Sequence, residues 1–326
     1  MKTVAITMGD PGGIGPEVIV KALSRAEIRG CCNPVVIGDV TIMREAVKLS
    51  DLPLRIKTVS GIARSQPAKG TIEVLDIRSR LPARRGVPSG SSGKAFYKYI
   101  EKAIELASQN EVQAIVTAPI SKESLKMAGY GWPGHTEMLA ELTSTEHFAM
   151  MFVSEKLKVI LCTIHMPLKD VPERITRASV YKTITLAKKG MEMLGIKTPH
   201  IAVSGLNPHA GESGIMGNEE SGAIIPAVKK AQKEGMNVTG PLPPDVVFYK
   251  AYNNEFDIIV CMYHDQGLIP FKMLAFDTGV NVTVGLPVIR TSPDHGTGFD
   301  IAWKNMANPS SMIEAIKLAA RMKLKL

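Results

Sequence analysis

Short apolar runs alternate with amphipathic helical segments along almost the whole 326-residue chain. Short apolar runs bounded by turn residues are typical of buried strands, whereas apolar residues spaced three and four apart are typical of helices that pack on one face. Parallel strands need a crossover connection, which is usually a helix. The alternation therefore predicts an α/β fold with a largely parallel sheet, in which loops at the carboxyl ends of the strands carry the functional residues.

The strands and helices can be placed from the same two patterns. We predict strands at Val4 to Thr7, Val35 to Ile37, Ile72 to Leu75, Ala114 to Thr117, Met150 to Val153, Val159 to Cys162, Ile201 to Val203, Ile258 to Met262 and Val280 to Val284. We predict helices at Pro16 to Ser24, Ile42 to Leu49, Gly93 to Ala107, Thr176 to Leu194, Glu219 to Lys233 and Ser311 to Lys323. Ser92 is predicted to cap the helix that begins at Gly93, and Gly195 is predicted to end the helix of Thr176 to Leu194.

Length and composition bound the class of protein. Single hydrophobic cores stop growing near about 250 to 300 residues, so one or two domains are expected. Because the sequence has no obvious linker, a two-lobed protein would be interwoven, with the chain crossing between the lobes more than once. A hydrophobic fraction of 45% and a charged fraction of 21% are ordinary for a soluble globular protein. No apolar stretch is long enough to span a membrane, and four cysteines without the spacing of a disulfide framework predict a reducing, cytoplasmic setting.

The net charge of +8 raises the question of a polyanionic partner. The 39 lysines and arginines are spread along the chain, and the longest cluster comprises only Arg78, Arg80, Arg84 and Arg85. No helix-turn-helix, RRM or zinc-finger spacing accompanies them. The sequence therefore favours an anionic small-molecule substrate and argues against nucleic-acid binding.

Two glycine-rich segments have the composition of nucleotide-binding motifs but not their spacing. Gly9 to Glu17 follows a strand and begins a helix, yet it lacks the G-x-G-x-x-G order, and Pro11 interrupts the turn. Gly90 to Ala95 lacks both the earlier glycine of a P-loop and the Ser or Thr that should follow Lys94. We therefore predict a glycine turn at a helix start for the first segment and a capped helix start for the second.

Three histidines, His165, His209 and His264, follow strand-like apolar runs at their carboxyl ends. Neutral imidazoles suit zinc, cobalt or iron, and a set of three leaves a coordination position open for substrate. The pattern therefore suggests a catalytic metal site. The alternative is that each histidine is a structural residue with its own hydrogen-bond partner, because their separation along the chain carries no local metal signature.

Five further polar residues could bind an anion or transfer a proton. His135 and Thr136 lie at a glycine turn, a position suited to oxyanion binding or proton transfer, although Thr136 could instead cap a helix. Lys272, Asn281 and Arg290 lie around the last predicted strand, where they could grip a phosphate or carboxylate. The alternative for these three is that each is a solvated surface side chain.

Six segments, in order along the chain, carry a family resemblance. They are Gly9 to Glu17, Pro133 to Glu137, Thr163 to Leu168, Leu206 to Glu212, Tyr263 to Gly267 and Ile289 to Thr297. Together they resemble the 4-hydroxythreonine-4-phosphate dehydrogenase (PdxA) family over essentially the whole chain. Met8 to Asp10 and Phe299 to Trp303 are similar to a branch of this family that oxidises D-threonate or D-erythronate 4-phosphate.

A second resemblance concerns the cofactor. Asp294 to Ala302 is similar to the adenosine-binding loop of the isocitrate and isopropylmalate dehydrogenases, which hold NAD without a Rossmann fingerprint. The resemblance implies cofactor contacts for four residues of this segment, namely His295, Gly296, Thr297 and Asp300. It also implies a two-lobed fold of that type with the active site in the interlobe cleft. The cofactor-binding lobe would comprise residues 1–127 and 270–326, and a metal and dimerisation lobe would comprise residues 128–269.

The PdxA resemblance also implies roles for the polar residues. His165, His209 and the partner subunit's His264 would bind a divalent metal at a dimer interface, zinc foremost, with magnesium or cobalt as alternatives. Substrate contacts, including those to its phosphate, would come from His135, Thr136, Lys272, Asn281 and Arg290. His135 and Asp245 are the implied catalytic residues, with Asp245 as a candidate proton acceptor.

The implied reaction is an NAD-dependent, metal-assisted oxidation and decarboxylation of a phosphorylated four-carbon hydroxy acid, carried out in the cytoplasm by a homodimer with shared active sites. The leading substrate is 4-phospho-oxy-L-threonine, giving 3-amino-2-oxopropyl phosphate and CO₂ in pyridoxal phosphate biosynthesis. Three alternatives stay open: oxidation of D-threonate or D-erythronate 4-phosphate in sugar-acid catabolism, oxidation of an aromatic cis-dihydrodiol, and non-catalytic binding of a phosphorylated metabolite. The cationic Lys272 and Arg290 weigh against the dihydrodiol, which lacks a phosphate.

Overall fold

The structure is a computed structural model that describes residues 1–62, 68–77 and 84–324. Its strands are β1 (Thr3–Thr7), β2 (Asn33–Gly38), β3 (Arg55–Val59), β4 (Thr71–Asp76), β5 (Ala114–Thr117), β6 (Ala149–Val153), β7 (Lys158–Leu161), β8 (Ile201–Ser204), β9 (Val238–Leu242), β10 (Ile258–Cys261), β11 (Val280–Val284) and β12 (Ile289–Pro293). Its α-helices are α1 (Gly15–Leu23), α2 (Ala26–Cys31), α3 (Val40–Ser50), α4 (Gly90–Ser108), α5 (Lys122–Met127), α6 (His135–Leu142), α7 (Val171–Arg174), α8 (Arg177–Met193), α9 (Ile225–Lys233), α10 (Pro244–Tyr252), α11 (His264–Ala275) and α12 (Ser310–Arg321). Arg78 and Arg80 of the basic cluster lie outside the described residues.

Contacts within the chain divide it into two units, each built from separate segments. Unit 1 comprises Met1–Glu146 and Leu286–Met322, and unit 2 comprises His147–Gly285 and the chain from Lys323 onward. The predicted lobe boundary after residue 127 falls inside unit 1, and the one after residue 269 falls inside unit 2. The functions predicted for the two lobes stay predictions.

The strand pairs of unit 1 are parallel, and the strand order is β3-β4-β2-β1-β5-β12. β1 pairs with β2 on one side and β5 on the other, and Val4, Ala5 and Ile6 are fully buried. A strand covered on both faces needs a continuous apolar run, which is what this segment has. Helix α4 packs against β1, β2 and β5, and α12 packs against β12 and β5.

Unit 2 has the strand order β11-β6-β7-β10-β8-β9. β6 is antiparallel to both β11 and β7, whereas β7, β10, β8 and β9 run parallel. A hydrophobic core of this unit includes Phe152 and Phe271, whose ring centroids lie 5.7 Å apart, together with Leu161 and Val247. Because β7, β10 and β8 are parallel neighbours, their carboxyl ends lie along the same edge of the sheet.

The structure confirms the predicted α/β class and the largely parallel sheets. Every predicted strand is present, with ends that differ by no more than two residues. The sequence patterns miss β3, β9 and β12, because the first is mostly exposed, the second contains Gly240-Pro241 and the third carries buried polar side chains. Among the described residues, no helix is both long enough and apolar enough to cross a membrane.

The predicted cap of α4 is wrong. The helix begins at Gly90, and its N-cap is Ser89, whose Oγ accepts a hydrogen bond from the Ser92 backbone N–H at 3.2 Å. Ser92 is instead a buried residue of the first turn. The predicted end of α8 is confirmed, because Gly195 follows its last turn with a φ of 93°, the left-handed conformation that glycine adopts most readily.

Candidate active site

The three predicted metal-binding histidines follow neighbouring parallel strands of unit 2. His165 lies in the loop after β7, His209 in the loop after β8, and His264 begins α11 after β10. Ligand-binding residues of parallel sheets collect at this edge, because the loops after adjacent strands leave the sheet side by side. The structure therefore places each histidine in the kind of loop that the sequence predicts.

The rings of His165 and His264 lie side by side, with centroids 5.7 Å apart and planes inclined by 43°. Two imidazoles that share a tetrahedral zinc ion through bonds of about 2.1 Å have ring centres roughly 5 Å apart. The pair therefore fits the spacing of two ligands on one ion. The Nδ1 of His264 also lies 2.6 Å from the Asp265 Oδ1, a contact in which Nδ1–H donates and which leaves Nε2 of the neutral ring unprotonated.

His209 does not complete a three-histidine set within one chain. Among the described residues, no group of three or more His, Cys, Asp or Glu side chains could hold a metal ion. The predicted site takes His264 from the partner subunit, whereas in the single chain His264 lies beside His165. The three-histidine site stays a prediction, in which His165 and His209 come from separate loops of one chain and the third ligand comes from the partner subunit.

His209 lies on a left-handed turn. The φ angles of residues 209 to 213 are 52°, 54°, 81°, 42° and 57°, and Gly211 is the single glycine among them. Left-handed helical backbone costs roughly 1–2 kcal/mol for each residue other than glycine. Strain of this kind persists only where the surrounding structure holds it, and it clusters at functional sites.

Unit 1 places a second polar cluster at the start of α6. The helix begins after Gly134, so His135 and Thr136 are its first two residues, and the alternative that Thr136 caps the helix is wrong. Arg290 on β12 is 1% exposed, and its Nε and Nη2 donate to the Thr117 Oγ1 at 3.2 Å and 2.7 Å. The His135 Nε2 is buried, and within the described chain it has no hydrogen-bond partner.

Burial sets the charges of this cluster. It lowers the pKa of His135 well below its ordinary 6.5, and the positive charge of Arg290 lowers it further, so the imidazole is neutral. Burial also lowers the pKa of Arg290 to about 9, opposed by the Glu137 carboxylate, and the guanidinium stays protonated at neutral pH. The buried cation of Arg290 therefore helps to keep the His135 imidazole neutral.

The remaining predicted substrate residues belong to unit 2. Lys272 lies on α11 with its Nζ 5.6 Å from the centroid of the Phe276 ring. Asn281 lies on β11, and its Oδ1 is buried without a hydrogen-bond partner in the part of the chain that the structure describes. Asp245, the predicted proton acceptor, is exposed in the first turn of α10, a helix that contacts the His209 turn. The alternative of a solvated surface side chain is thus wrong for Asn281 and for Arg290.

The predicted cofactor-binding segment is tied to the glycine-rich turn of unit 1. The Thr297 carbonyl accepts a hydrogen bond from the Ile14 N–H at 2.9 Å. A Cβ on Gly13 would lie 2.9 Å from the same carbonyl oxygen, so the close approach of the two segments requires glycine there. The indole Nε1–H of Trp303 donates a further hydrogen bond to the Pro11 carbonyl oxygen at 3.1 Å.

The outer face of that segment has room for a ligand. Gly296 and Asp300 are exposed and His295 is half-buried. No described atom outside its immediate chain neighbours lies within 4 Å of the position that a Cβ on Gly296 would occupy. The segment is therefore fixed on its inner side and open on its outer side, an arrangement that fits the predicted cofactor contacts.

Three functional candidates are missed by the sequence patterns. Thr117 ends β5 and orients Arg290, and its place at the carboxyl end of a predicted parallel strand is a signal that could have found it. Glu220 and Trp303 act through tertiary hydrogen bonds that no local pattern predicts, although Trp303 belongs to a segment, Phe299 to Trp303, that carries the family resemblance.

Unit 2 therefore has neighbouring imidazoles in the loops after its parallel strands, and unit 1 has a buried guanidinium beside a neutral histidine; each is a feature typical of enzymes with an α/β fold. The family model of the pyridoxal phosphate biosynthetic protein PdxA matches residues 30–319. The chain belongs to the PdxA family.

The relatives span the whole chain. A 4-hydroxythreonine-4-phosphate dehydrogenase of Desulforapulum autotrophicum is 47% identical over 97% of this chain and 94% of its own length. A D-threonate 4-phosphate dehydrogenase of Salmonella typhimurium is 45% identical over 98% of this chain and 99% of its own. The crystal structure of a 4-hydroxythreonine-4-phosphate dehydrogenase from Klebsiella pneumoniae has a TM-score of 0.90 at 42% identity, and 98% of each chain is covered.

Proposed function

We propose that the chain is an NAD-dependent oxidoreductase that oxidises and decarboxylates a phosphorylated four-carbon hydroxy acid. The leading substrate is 4-phospho-oxy-L-threonine, which would give 3-amino-2-oxopropyl phosphate and CO₂. Membership of the PdxA family and the activity of the Desulforapulum relative support this substrate. The family description supports a role in pyridoxal phosphate biosynthesis.

The pairing of His135 with Arg290 is the observation that carries the proposal. A buried guanidinium offers the rigid fork of N–H donors that grips a phosphate or carboxylate. The neutral His135 has a buried Nε2 that makes no hydrogen bond to the described residues, so this atom can bond a substrate hydroxyl. A cation for the anionic substrate beside an acceptor for its hydroxyl proton matches the needs of hydroxy-acid oxidation.

The proposed oxidation removes a proton and a hydride from the substrate; the proton would go to a residue of the chain, and the hydride would go to NAD⁺ as the bound cofactor. The base accepts the proton of the substrate hydroxyl while a hydride leaves the same carbon. The resulting β-keto acid loses CO₂, the electron pair of the broken bond stays on the α carbon, and that carbon is then protonated. His135, through Nε2, and Asp245 are the two candidate proton acceptors.

The proposed reaction also needs a nicotinamide cofactor and a divalent metal ion, which the chain itself does not supply. When bound, NAD⁺ would supply the hydride acceptor, and the residues that would hold it are His295, Gly296, Thr297 and Asp300. When bound, a divalent ion, zinc foremost, would supply a positive charge for the negative charge that develops on oxygen. His165, His209 and the partner subunit's His264 are the residues proposed to hold that ion.

The same proposal includes a homodimer. Helix α10 exposes Tyr249 at 71%, helix α11 exposes Ile269 at 60% and Met273 at 83%, and Phe276, which directly follows α11, is 70% exposed. Soluble monomers seldom expose apolar patches of this kind, whereas subunit interfaces cover them. His264 is the first residue of α11, so a second copy seated on this helix would lie next to a proposed metal ligand.

A second candidate substrate has equal support from a relative. The D-threonate 4-phosphate dehydrogenase of Salmonella typhimurium is about as similar to this chain as the first relative is. The two substrates differ at C2, which carries an amine in one and a hydroxyl in the other. Oxidation of D-threonate 4-phosphate is therefore the alternative within the same chemistry.

A comparison of substrates tests the proposal. NADH formation is followed with 4-phospho-oxy-L-threonine, D-threonate 4-phosphate and D-erythronate 4-phosphate on one zinc-loaded preparation. The proposal predicts the highest kcat/KM for the first acid. The highest value for one of the other two would assign the chain to the second branch, and no NADH with any of them would contradict the enzyme proposal.

A further inference from the structure

The carboxylate of Glu220 lies inside the loop that carries His209, and the residue is 3% exposed. Its Oε1 accepts hydrogen bonds from the backbone N–H groups of Leu206 and Asn207, both at 2.8 Å. Its Oε2 accepts a third from the Asn207 Nδ2 at 3.0 Å. A buried carboxylate is tolerated only where donors satisfy it, so these bonds fix both the carboxylate and the chain that leads into His209.

Two glycines let the loop close directly over this carboxylate. A Cβ on Gly211 would lie 2.7 Å from the Glu220 Oε2, and a Cβ on Gly205 would lie 3.3 Å from Oε1. Gly211 also has a φ of 81°, so a side chain there would be strained as well as crowded. The backbone on both sides of His209 is therefore shaped around one buried carboxylate.

The side chains of the left-handed turn do little to hold it. His209 and the residues from Glu212 to Met216 are exposed, whereas Gly211 is buried. Exposed side chains remove little apolar surface from water, so they cannot offset the strain of consecutive positive φ angles. The hydrogen bonds to Glu220 supply a local constraint of the kind that such a turn needs.

The backbone at Glu220 is itself irregular. Glu220 is the first residue of a π-helical turn, Glu220–Ile224, that leads into α9. A π-helical turn inserts one residue into a helix and is frequent at functional sites. In this chain the insertion coincides with the residue whose side chain enters the His209 loop.

We propose that Glu220 is the positioning residue for His209: its buried carboxylate holds the left-handed turn and thereby presents the imidazole to a metal ion. The role in metal binding rests on the proposed function, whereas the role in holding the loop does not. Glu220 acts through the backbone of Leu206 and Asn207.

The variant Glu220→Gln in the full chain tests this proposal. Glutamine keeps the size and one oxygen of the side chain but replaces the second acceptor by an amide donor that faces the Asn207 Nδ2. We expect zinc binding to weaken by about 10- to 100-fold, as is typical when a group that orients a ligand is lost. We also expect faster hydrogen exchange at the Leu206 and Asn207 amides, with an unchanged circular dichroism spectrum.

Two further variants calibrate the measurement, which uses competition with a chromophoric zinc chelator. His209→Ala shows the affinity without the ligand. Glu219→Gln is the matched control, because the Glu219 Oε2 also accepts from the Asn207 Nδ2, at 2.9 Å, but within the described chain it bonds no backbone amide of the loop. The control is expected to bind zinc within about twofold of the wild type, as expected for a partly exposed contact.

The outcomes separate this proposal from the proposed function. Wild-type zinc affinity in Glu220→Gln overturns the positioning role, whether or not hydrogen exchange changes. Equal zinc affinity in the wild type and in His209→Ala would contradict the proposed metal site rather than the role of Glu220. In that case hydrogen exchange decides the role of Glu220 in the loop, and unchanged exchange in Glu220→Gln would overturn it. If Glu220→Gln does not fold, Asn207→Ala replaces it, because that variant removes one of the three bonds; unchanged exchange in Asn207→Ala would overturn the proposal.

Discussion

Arg290 and Thr117 lie on neighbouring parallel strands of unit 1, and the buried guanidinium donates two hydrogen bonds to the threonine hydroxyl, at 3.2 Å from Nε and 2.7 Å from Nη2. Thr117 is the last residue of β5, and Arg290, whose guanidinium contacts its hydroxyl, is the second residue of β12. Thr117 therefore helps to fix the direction in which the cation of the proposed anion site points.

Thr117→Val should weaken substrate binding. Valine keeps the shape of threonine and suits a strand, but it removes the acceptor of both bonds. A hydrogen bond to a charged group contributes about 1.5–3 kcal/mol, so we expect kcat/KM to fall by about 10- to 100-fold, mainly through KM.

Thr7→Val is the matched control for that variant. Thr7 on β1 is in register with Thr117, is equally buried, and its Oγ1 has no hydrogen-bond partner in the described chain. Its loss should leave kcat/KM within about twofold of the wild type, since no bond is removed. Equal losses in the two valine variants would show that the strand, rather than the bond to Arg290, is responsible.

The buried His135 should make stability depend on pH. Its pKa in the folded protein lies well below 6.5, whereas in the unfolded chain it titrates near 6.5. The unfolded state therefore binds more protons, and the stability that the neutral ring contributes above this pH is lost as the pH falls from about 6.5 toward the folded pKa.

Urea denaturation of His135→Asn measures this contribution. We expect the free energy of unfolding to fall less steeply between about pH 7 and pH 5 in the variant than in the wild type. His147→Asn, at an exposed histidine, is the control and should keep the wild-type slope. A wild-type slope in His135→Asn would mean that His135 is not held neutral by the fold.

Met273→Lys tests the proposed dimer. Met273 is 83% exposed on α11, and a lysine there would be solvated in a monomer but buried in the proposed interface. We expect light scattering to show half the wild-type mass, with loss of zinc binding and NADH formation. Met127→Lys, at a residue that is 57% exposed in unit 1, should keep the wild-type mass and activity. A monomeric Met273→Lys with full activity would contradict a shared active site.

Apolar patterning accounts for most of the fold that could be predicted. Central strands such as β1 and β5 are buried on both faces, so their sequences are nearly continuous apolar runs. β12 is buried as well, but it contains Arg290, Thr291 and Ser292, whose burial depends on partners elsewhere in the fold. No local pattern reports such partners, so this strand cannot be predicted from the sequence.

The candidate site likewise has some features that could be predicted from the sequence and others that could not. His165, His209 and His264 could be found because each follows an apolar strand, a feature visible within a few residues. The left-handed turn at His209 and its contacts with Glu220 depend on bonds between separate segments. The burial of Arg290 beside His135 likewise joins residues far apart in the chain. These tertiary relationships become visible only in the structure.

The most direct test of the proposed function is to measure NADH and CO₂ in the same reaction. Zinc-loaded protein is mixed with NAD⁺ and 4-phospho-oxy-L-threonine, and both products are followed over time. We predict that NADH and CO₂ form in equal amounts and that neither forms with Arg290→Met, which lacks the buried cation. Absence of both products with the wild type, or NADH without CO₂, would contradict an oxidative decarboxylation.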